Sequence, residues 1–347
     1  MRWWGGLLGA NVITTEWGTY SPEVTMEVLK EEPDLVIVIG GTVAVPPEYE
    51  EDFSTAGVEV MRWGGSNREE TSYAVFTGLK NSFPSALEGV KSVVFIEGRN
   101  PAAYGLMKSQ LPGRSIVLFV DMGAESFREV ALSVVEAIGA GEVEILLLAG
   151  KKGEPLFGRI STVSNVSKAL EERGVDVALV NVPPSRNLAA RAITKAEEAL
   201  IKLSAYDDRS EERLEKAKEL LERARSAYER GDYQEAYILA LTAEGYADVV
   251  RKRNLDIMRS TFQGSGKHGL EFKLMRLKWI VKALEANGRD ISDLESLIAE
   301  IESLINSGRY GEAAQKLESL KKDIRGRYAR GRESHGPPQN PGGNHRP

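Results

Sequence analysis

Leu35-Val36-Ile37-Val38-Ile39-Gly40-Gly41-Thr42-Val43-Ala44-Val45-Pro46 is the stretch from which the fold is read. Its five branched apolar residues, bounded by Pro33-Asp34 and Gly40-Gly41, are too few for a helix. They predict a strand buried on both faces, as in a parallel sheet. The glycine pair permits a sharp turn at the carboxyl end of the strand, and Pro46-Pro47 sets φ for a helix that begins near Glu48. A second strand, Gly57-Val58-Glu59-Val60-Met61-Arg62, then runs into Gly64-Gly65-Ser66-Asn67-Arg68-Glu69-Glu70-Thr71, a loop that opens another helix.

The same alternation continues on either side of this stretch. Strands are expected at 11–14, 35–39, 58–62, 92–97, 115–120, 144–149 and 175–181. Helices are expected at 22–31, 47–55, 68–82, 101–110, 124–139 and 161–173. This rhythm predicts an α/β domain over residues 1–192, built on a parallel, doubly wound, Rossmann-like sheet. Right-handed crossovers then gather the strand-to-helix loops at Gly40, Gly98 and Gly150 on one edge. An internal repeat runs through the domain. Leu35-Val36-Ile37-Val38-Ile39-Gly40 is echoed by Ile145-Leu146-Leu147-Leu148-Ala149-Gly150, and Gly57-Val58-Glu59-Val60 by Gly174-Val175-Asp176-Val177. Asn67 to Val75 returns loosely as Ser185 to Ile193. In the second copy Lys151 replaces the second glycine, Gly153 to Arg159 is an inserted loop, and Val182-Pro183-Pro184 stands where the first has Gly64-Gly65.

A strand ending in Gly40-Gly41, a helix opened by Val45-Pro46, and Arg62, Gly65, Arg68 and Thr71 spaced as Arg-x-x-Gly-x-x-Arg-x-x-Thr resemble the cell wall-binding repeat 2 family of prokaryotic surface proteins. Val93 to Tyr104 resembles that family's strand, glycine loop and helix, without the Asp that usually opens the helix. The resemblance covers roughly the first half of the chain: the rear of one module, a complete one from about Arg62 to Gly174, and the front of another. It implies a non-catalytic, secreted or cell-surface protein that binds an anionic polymer or polysaccharide without a cofactor. The residues it implies for ligand binding are Gly40, Gly41, Arg62, Asn67, Arg68 and Thr71. Because Asn11 to Thr15 matches a module's third strand, the resemblance also implies coding sequence upstream of Met1 with a secretion signal, or else a truncated paralogue. Without such a signal the location is cytoplasmic.

From Ala192 onward the chemistry changes. Residues 207–232 are dense in charge, with Leu214, Ala217, Leu221, Ala224 and Tyr228 forming one helical seam. Gly231 ends that helix in the left-handed region, Asp232 with Glu235 caps the next, and Ala236, Ala240, Ala243, Ala247 and Val250 carry the seam on. The pattern Gly-x-Tyr-x-Glu-Ala at Gly231 recurs at Gly308, an offset of about 77 residues that predicts a repeated helical hairpin. Leu294, Leu297, Ile301, Leu304, Leu317, Leu320 and Ile324 complete a charged helical-hairpin bundle over 193–332, a candidate for self-association or a protein partner. The tail 333–347 is expected to be disordered.

Composition excludes several classes of function. The chain has 347 residues, 42% of them apolar and 28% charged, with a formal net charge of -6, which argues against nucleic acid. It has no cysteine, so disulfides and thiolate chemistry are absent, and no apolar run is long enough to span a membrane. Of its three histidines two lie in the tail, leaving the α/β domain without a triad base or histidine metal ligands. Gly264-Ser265-Gly266-Lys267-His268 has some letters of a phosphate loop but falls between helices, and Gly40-Gly41 lacks the dinucleotide fingerprint. Asp121 is expected to cap a strand end, and Glu50-Glu51-Asp52 to form a solvated helix face. Two readings of Arg62 and Arg68 stay open: pairing with Glu69, Glu70 or helix carbonyls to shape the loop, or recognition of an anion by guanidinium and helix amino terminus. The alternatives for the whole chain are an α/β enzyme for a nucleotide or sugar nucleotide, and an intracellular scaffold.

Overall fold

A computed structural model of the chain describes residues 8–98, 115–148, 160–182, 185–201, 203–262 and 266–333. In chain order these form α1 (Pro22–Lys30), β1 (Leu35–Ile39), α2 (Glu48–Thr55), β2 (Glu59–Trp63), α3 (Arg68–Ser82), a 3-10 turn (Pro84–Leu87), β3 (Ser92–Glu97) and β4 (Ser115–Val120). Then follow α4 (Ser126–Ile138), β5 (Glu142–Leu148), α5 (Ile160–Glu171), β6 (Asp176–Val182), α6 (Arg186–Ile201), α7 (Asp208–Glu229), α8 (Tyr233–Phe262), α9 (Lys267–Ala286), α10 (Ser292–Asn306) and α11 (Tyr310–Glu333). The class is α/β with an added helical part, as the sequence predicts. The helix expected at 101–110, Gly150, the inserted loop at 153–159, Pro183-Pro184 and the tail from 334 lie outside the described residues.

The chain divides into two interleaved compact units. One comprises residues 1–12, 39–43 and 63–257, the other 13–38, 44–62 and 258–347. The division expected at 192/193 falls inside α6, which runs through both positions as one helix. Ala192 and Ile193 are both buried there, so the change in composition marks no break in the backbone.

The first unit holds a four-stranded, fully parallel sheet of order β4-β3-β5-β6. Every residue of β3 is buried, in keeping with the unbroken apolar run Val93-Val94-Phe95-Ile96. The edge strand β4 is met by α3, whose Ser72 hydroxyl accepts from the Phe119 amide at 3.0 Å, a contact that occupies an edge N–H. The sequence reading places β1 and β2 in this same sheet, whereas they form a two-stranded sheet of their own. Bonds from Glu59 N to Asp34 O and from Gly40 N to Trp63 O close its two ends. Residues 11–14 form no strand. The chain just after them is tied by Thr15 Oγ1 to Tyr49 Oη at 2.7 Å and by Gly18 N to Ala44 O.

Also in the first unit, α6, α7 and α8 pack around a core rich in alanine, with Ala224, Ala227, Ala236, Ala240 and Ala243 at zero exposure. Small side chains at these spacings let the helices approach closely, as the seam predicts. The predicted turn chemistry is present as well: Gly231 has φ +79 and the Asp232 carboxylate accepts from Glu235 N at 3.2 Å.

The second unit gathers α1, α2 and part of the β1–β2 pair with α9, α10 and α11 around one core. Leu29, Tyr49, Phe53 and Val58 from the amino-terminal third share it with Leu277, Ile280, Leu317 and Tyr328. Here the expectation for Glu50-Glu51-Asp52 is corrected, because Asp52 is 2% exposed. Arg276 donates to its Oδ1 at 2.9 and 2.6 Å, Thr25 Oγ1 donates to its Oδ2 at 3.0 Å, and the Tyr20 hydroxyl donates to the same oxygen. Burial pushes the Asp52 carboxyl up, against the pull of Arg276. Glu51 also pairs with Arg276, at 2.8 Å, and only its own side chain keeps the solvated character expected of the stretch.

Candidate functional site

The two glycine pairs of the opening stretch meet. A Cβ on Gly41 would lie 2.1 Å from the Gly65 carbonyl oxygen, and one on Gly64 would lie 2.3 Å from the Gly40 carbonyl. No side chain fits either place, so the strand-end loops approach backbone to backbone. Gly40 also has φ +132, a conformation reserved for glycine.

From Gly65 the loop is held by its own polar groups. Gly65 N donates to Thr71 Oγ1 at 3.1 Å, and Ser66 N and Oγ donate to Glu70 Oε2 at 2.9 and 2.7 Å. Asn67 caps α3 by accepting from Glu70 N at 2.7 Å. The Ser66 hydroxyl and amide hold the exposed Glu70 carboxyl below its ordinary range. Asn67 and Thr71 therefore both serve the loop and the helix start that follow the glycines.

The two arginines belong to different units. Arg62 belongs to the second unit, where it donates to Val45 O at 3.0 Å and to Glu50 at 2.6 Å. Arg68, in the first unit, reaches Glu244 of α8 at 3.2 Å. Neither pairs with Glu69 or Glu70, the carboxylate partners considered from sequence. Glu69 instead lies against Gly98 at the carboxyl end of β3, where an added Cβ would come within 2.0 Å of its Oε1. Strand order reverses at this point: β3 leads outward to β4, and the chain returns on the other side of β3 through β5. Asp121 behaves as expected at the end of β4, accepting from Gly123 N at 2.8 Å.

Sequence reading misses the surroundings of Arg68. Lys195 of α6 donates to the same Glu244 oxygen as Arg68, also at 3.2 Å. One turn along α8, Asp248 pairs with Arg251 at 3.3 Å, and burial followed by the Glu244 charge pushes the Asp248 carboxyl up. The fully buried Tyr237 hydroxyl is raised likewise, by burial first and Glu244 second. A signal for this cluster exists in the sequence. Glu244 follows Ala236 and Ala240 at four-residue spacing, so a carboxylate occupies a position on the alanine face. Among the described residues no helix is long and apolar enough to cross a membrane.

These features define a protein with a parallel α/β sheet and repeated helical hairpins, organised around a glycine-paired loop and a charged cluster at the start of α3. No protein-family model matches the chain. It is similar to an uncharacterized protein of Methanocaldococcus jannaschii, with 31% identity over 242 residues, 66% of this chain. The chain spans 64% of that relative's length.

Proposed function

We propose that the chain is a non-catalytic binding protein of the cell surface. In this reading the α/β part, which resembles the cell wall-binding repeat 2 design, engages an anionic polymer or polysaccharide, and the helical hairpins serve as a spacer or partner-binding part. One observation supports it: the Gly40-Gly41 pair and the Gly65-x-x-Arg68-x-x-Thr71 part of the second signature, separate in sequence, lie in two loops that meet backbone to backbone, while that signature's Arg62 is taken up by Val45 and Glu50. Gly41 backs onto Gly65, Thr71 holds Gly65, Asn67 caps the helix, and the half-exposed Arg68 stays reachable from solvent at the amino terminus of α3. A guanidinium at a helix amino terminus suits phosphate or carboxylate.

A second reading is favoured by the reversal of strand order beside Gly98, the place where open parallel sheets hold nucleotides. In it the chain is an α/β enzyme for a nucleotide or sugar nucleotide. Two measurements on the intact chain separate the readings: capture by purified envelope polymer, and thermal shift against nucleotides and sugar nucleotides. The surface-binding reading predicts capture with no nucleotide-dependent shift. A saturable nucleotide-dependent rise in Tm without capture favours the enzyme.

A further inference from the structure

Arg68 on α3 and Lys195 on α6 converge on a single oxygen of Glu244, each at 3.2 Å. That is longer than the roughly 2.7–2.9 Å of a strong charge-assisted bond. The nearby Asp248 is paired with Arg251, which also donates to Ala199 O at 2.9 Å. Arg68, Lys195 and Arg251 thus stand against Glu244 and Asp248, an excess of one positive charge in a chain whose net charge is negative. Exposure is divided unevenly: the Arg68 and Lys195 side chains are 43% and 48% exposed, and that of Glu244 is 11% exposed. The cations can be reached from solvent, while the carboxylate that holds them lies beneath.

We propose that Arg68 and Lys195 form a two-cation seat for one oxyanion group, a phosphate or a carboxylate carried by the polymer, and that Glu244 is the chain's own occupant of that seat. The incoming group displaces Glu244 and takes over its two partners, so Glu244 sets the affinity by competition. This rests on the surface-binding reading and adds Lys195 and Glu244 to it.

The test titrates inorganic phosphate, and in a second arm polygalacturonate, into the intact chain while the Arg68 Nε and Lys195 Nζ resonances are followed. Saturable movement of both resonances is expected with at least one probe, and the arm that produces it names the group. Glu244→Gln should tighten that binding by about tenfold, the scale of one charge-assisted contact. Arg68→Gln added to Glu244→Gln should undo the gain. The proposal is overturned if neither probe moves the two resonances, or if Glu244→Gln binds no more tightly than the wild-type chain. Should Glu244→Gln fail to fold, Lys195→Gln decides: weaker binding supports the seat, unchanged binding overturns it. Envelope capture that persists without probe binding would sink the seat and leave the surface-binding reading standing. Probe binding without envelope capture would do the reverse.

Discussion

Gly41 is required by a neighbour and Gly141 is not, although both close loops of the first unit. The Cβ of an alanine at 41 would stand 2.1 Å from a backbone oxygen, whereas at 141 nothing lies within 4 Å. Gly41→Ala should therefore lower stability by about 3 kcal/mol through a forced backbone shift, and Gly141→Ala by no more than about 0.5 kcal/mol. Denaturant melts of the two variants check this, and equal losses would mean the glycine pairs do not interlock. The same scale explains what sequence could not supply. Gly40-Gly41 and Gly64-Gly65 are each legible as turn residues, but their mutual contact joins residues some 24 positions apart and leaves no periodic trace. Asp52 is hidden for a related reason. In Glu48-Tyr49-Glu50-Glu51-Asp52 it looks like one more solvated carboxylate, and its buried partner Arg276 lies 224 residues away.

At the scale of elements, helix starts and hairpin turns were the most legible features, because their chemistry is local. Gly231 and Gly308, with φ +79 and +75, repeat one bond pattern. Gly231 N reaches Tyr228 O and Asp232 N reaches Ala227 O, as Gly308 N reaches Ile305 O and Arg309 N reaches Leu304 O. The offset of 77 residues read from the letters is thus an offset between two identical helix ends. The start of α7 gives a pH prediction. Arg253, with the Ser210 amide, holds the Asp207 carboxyl down from 3.8 to about 2. A depressed carboxyl stabilises the folded state fully above its ordinary value and loses that contribution as pH falls through about 2. An NMR titration should find Asp207 ionised down to that pH, and Arg253→Gln should move the midpoint upward. A midpoint near 3.8 in the wild-type chain would show that the Arg253 contact does not form in solution. Sheet membership was less legible than strand existence. β1 has the apolar run of an interior strand, yet no local signal says which neighbour it will choose.

Over the whole molecule the main departure from expectation is that composition and architecture divide the chain differently. The charged helices from α9 onward complete a core begun by Leu29, Tyr49 and Phe53, so the second unit needs both ends of the chain. A fragment of residues 1–192 should accordingly be cut rapidly by protease within 13–62, where the intact chain resists. Equal resistance in the two would argue for an independent amino-terminal domain. The function proposed for the molecule rests on an anion-binding loop held by a glycine-paired scaffold, and such binding weakens as salt screens charge. Co-sedimentation of the intact chain with insoluble envelope polymer across a salt series tests this most directly. The account predicts sedimentation at low salt and release as salt rises. A chain that stays in the supernatant at every salt concentration, while a sugar nucleotide raises its Tm, would contradict it.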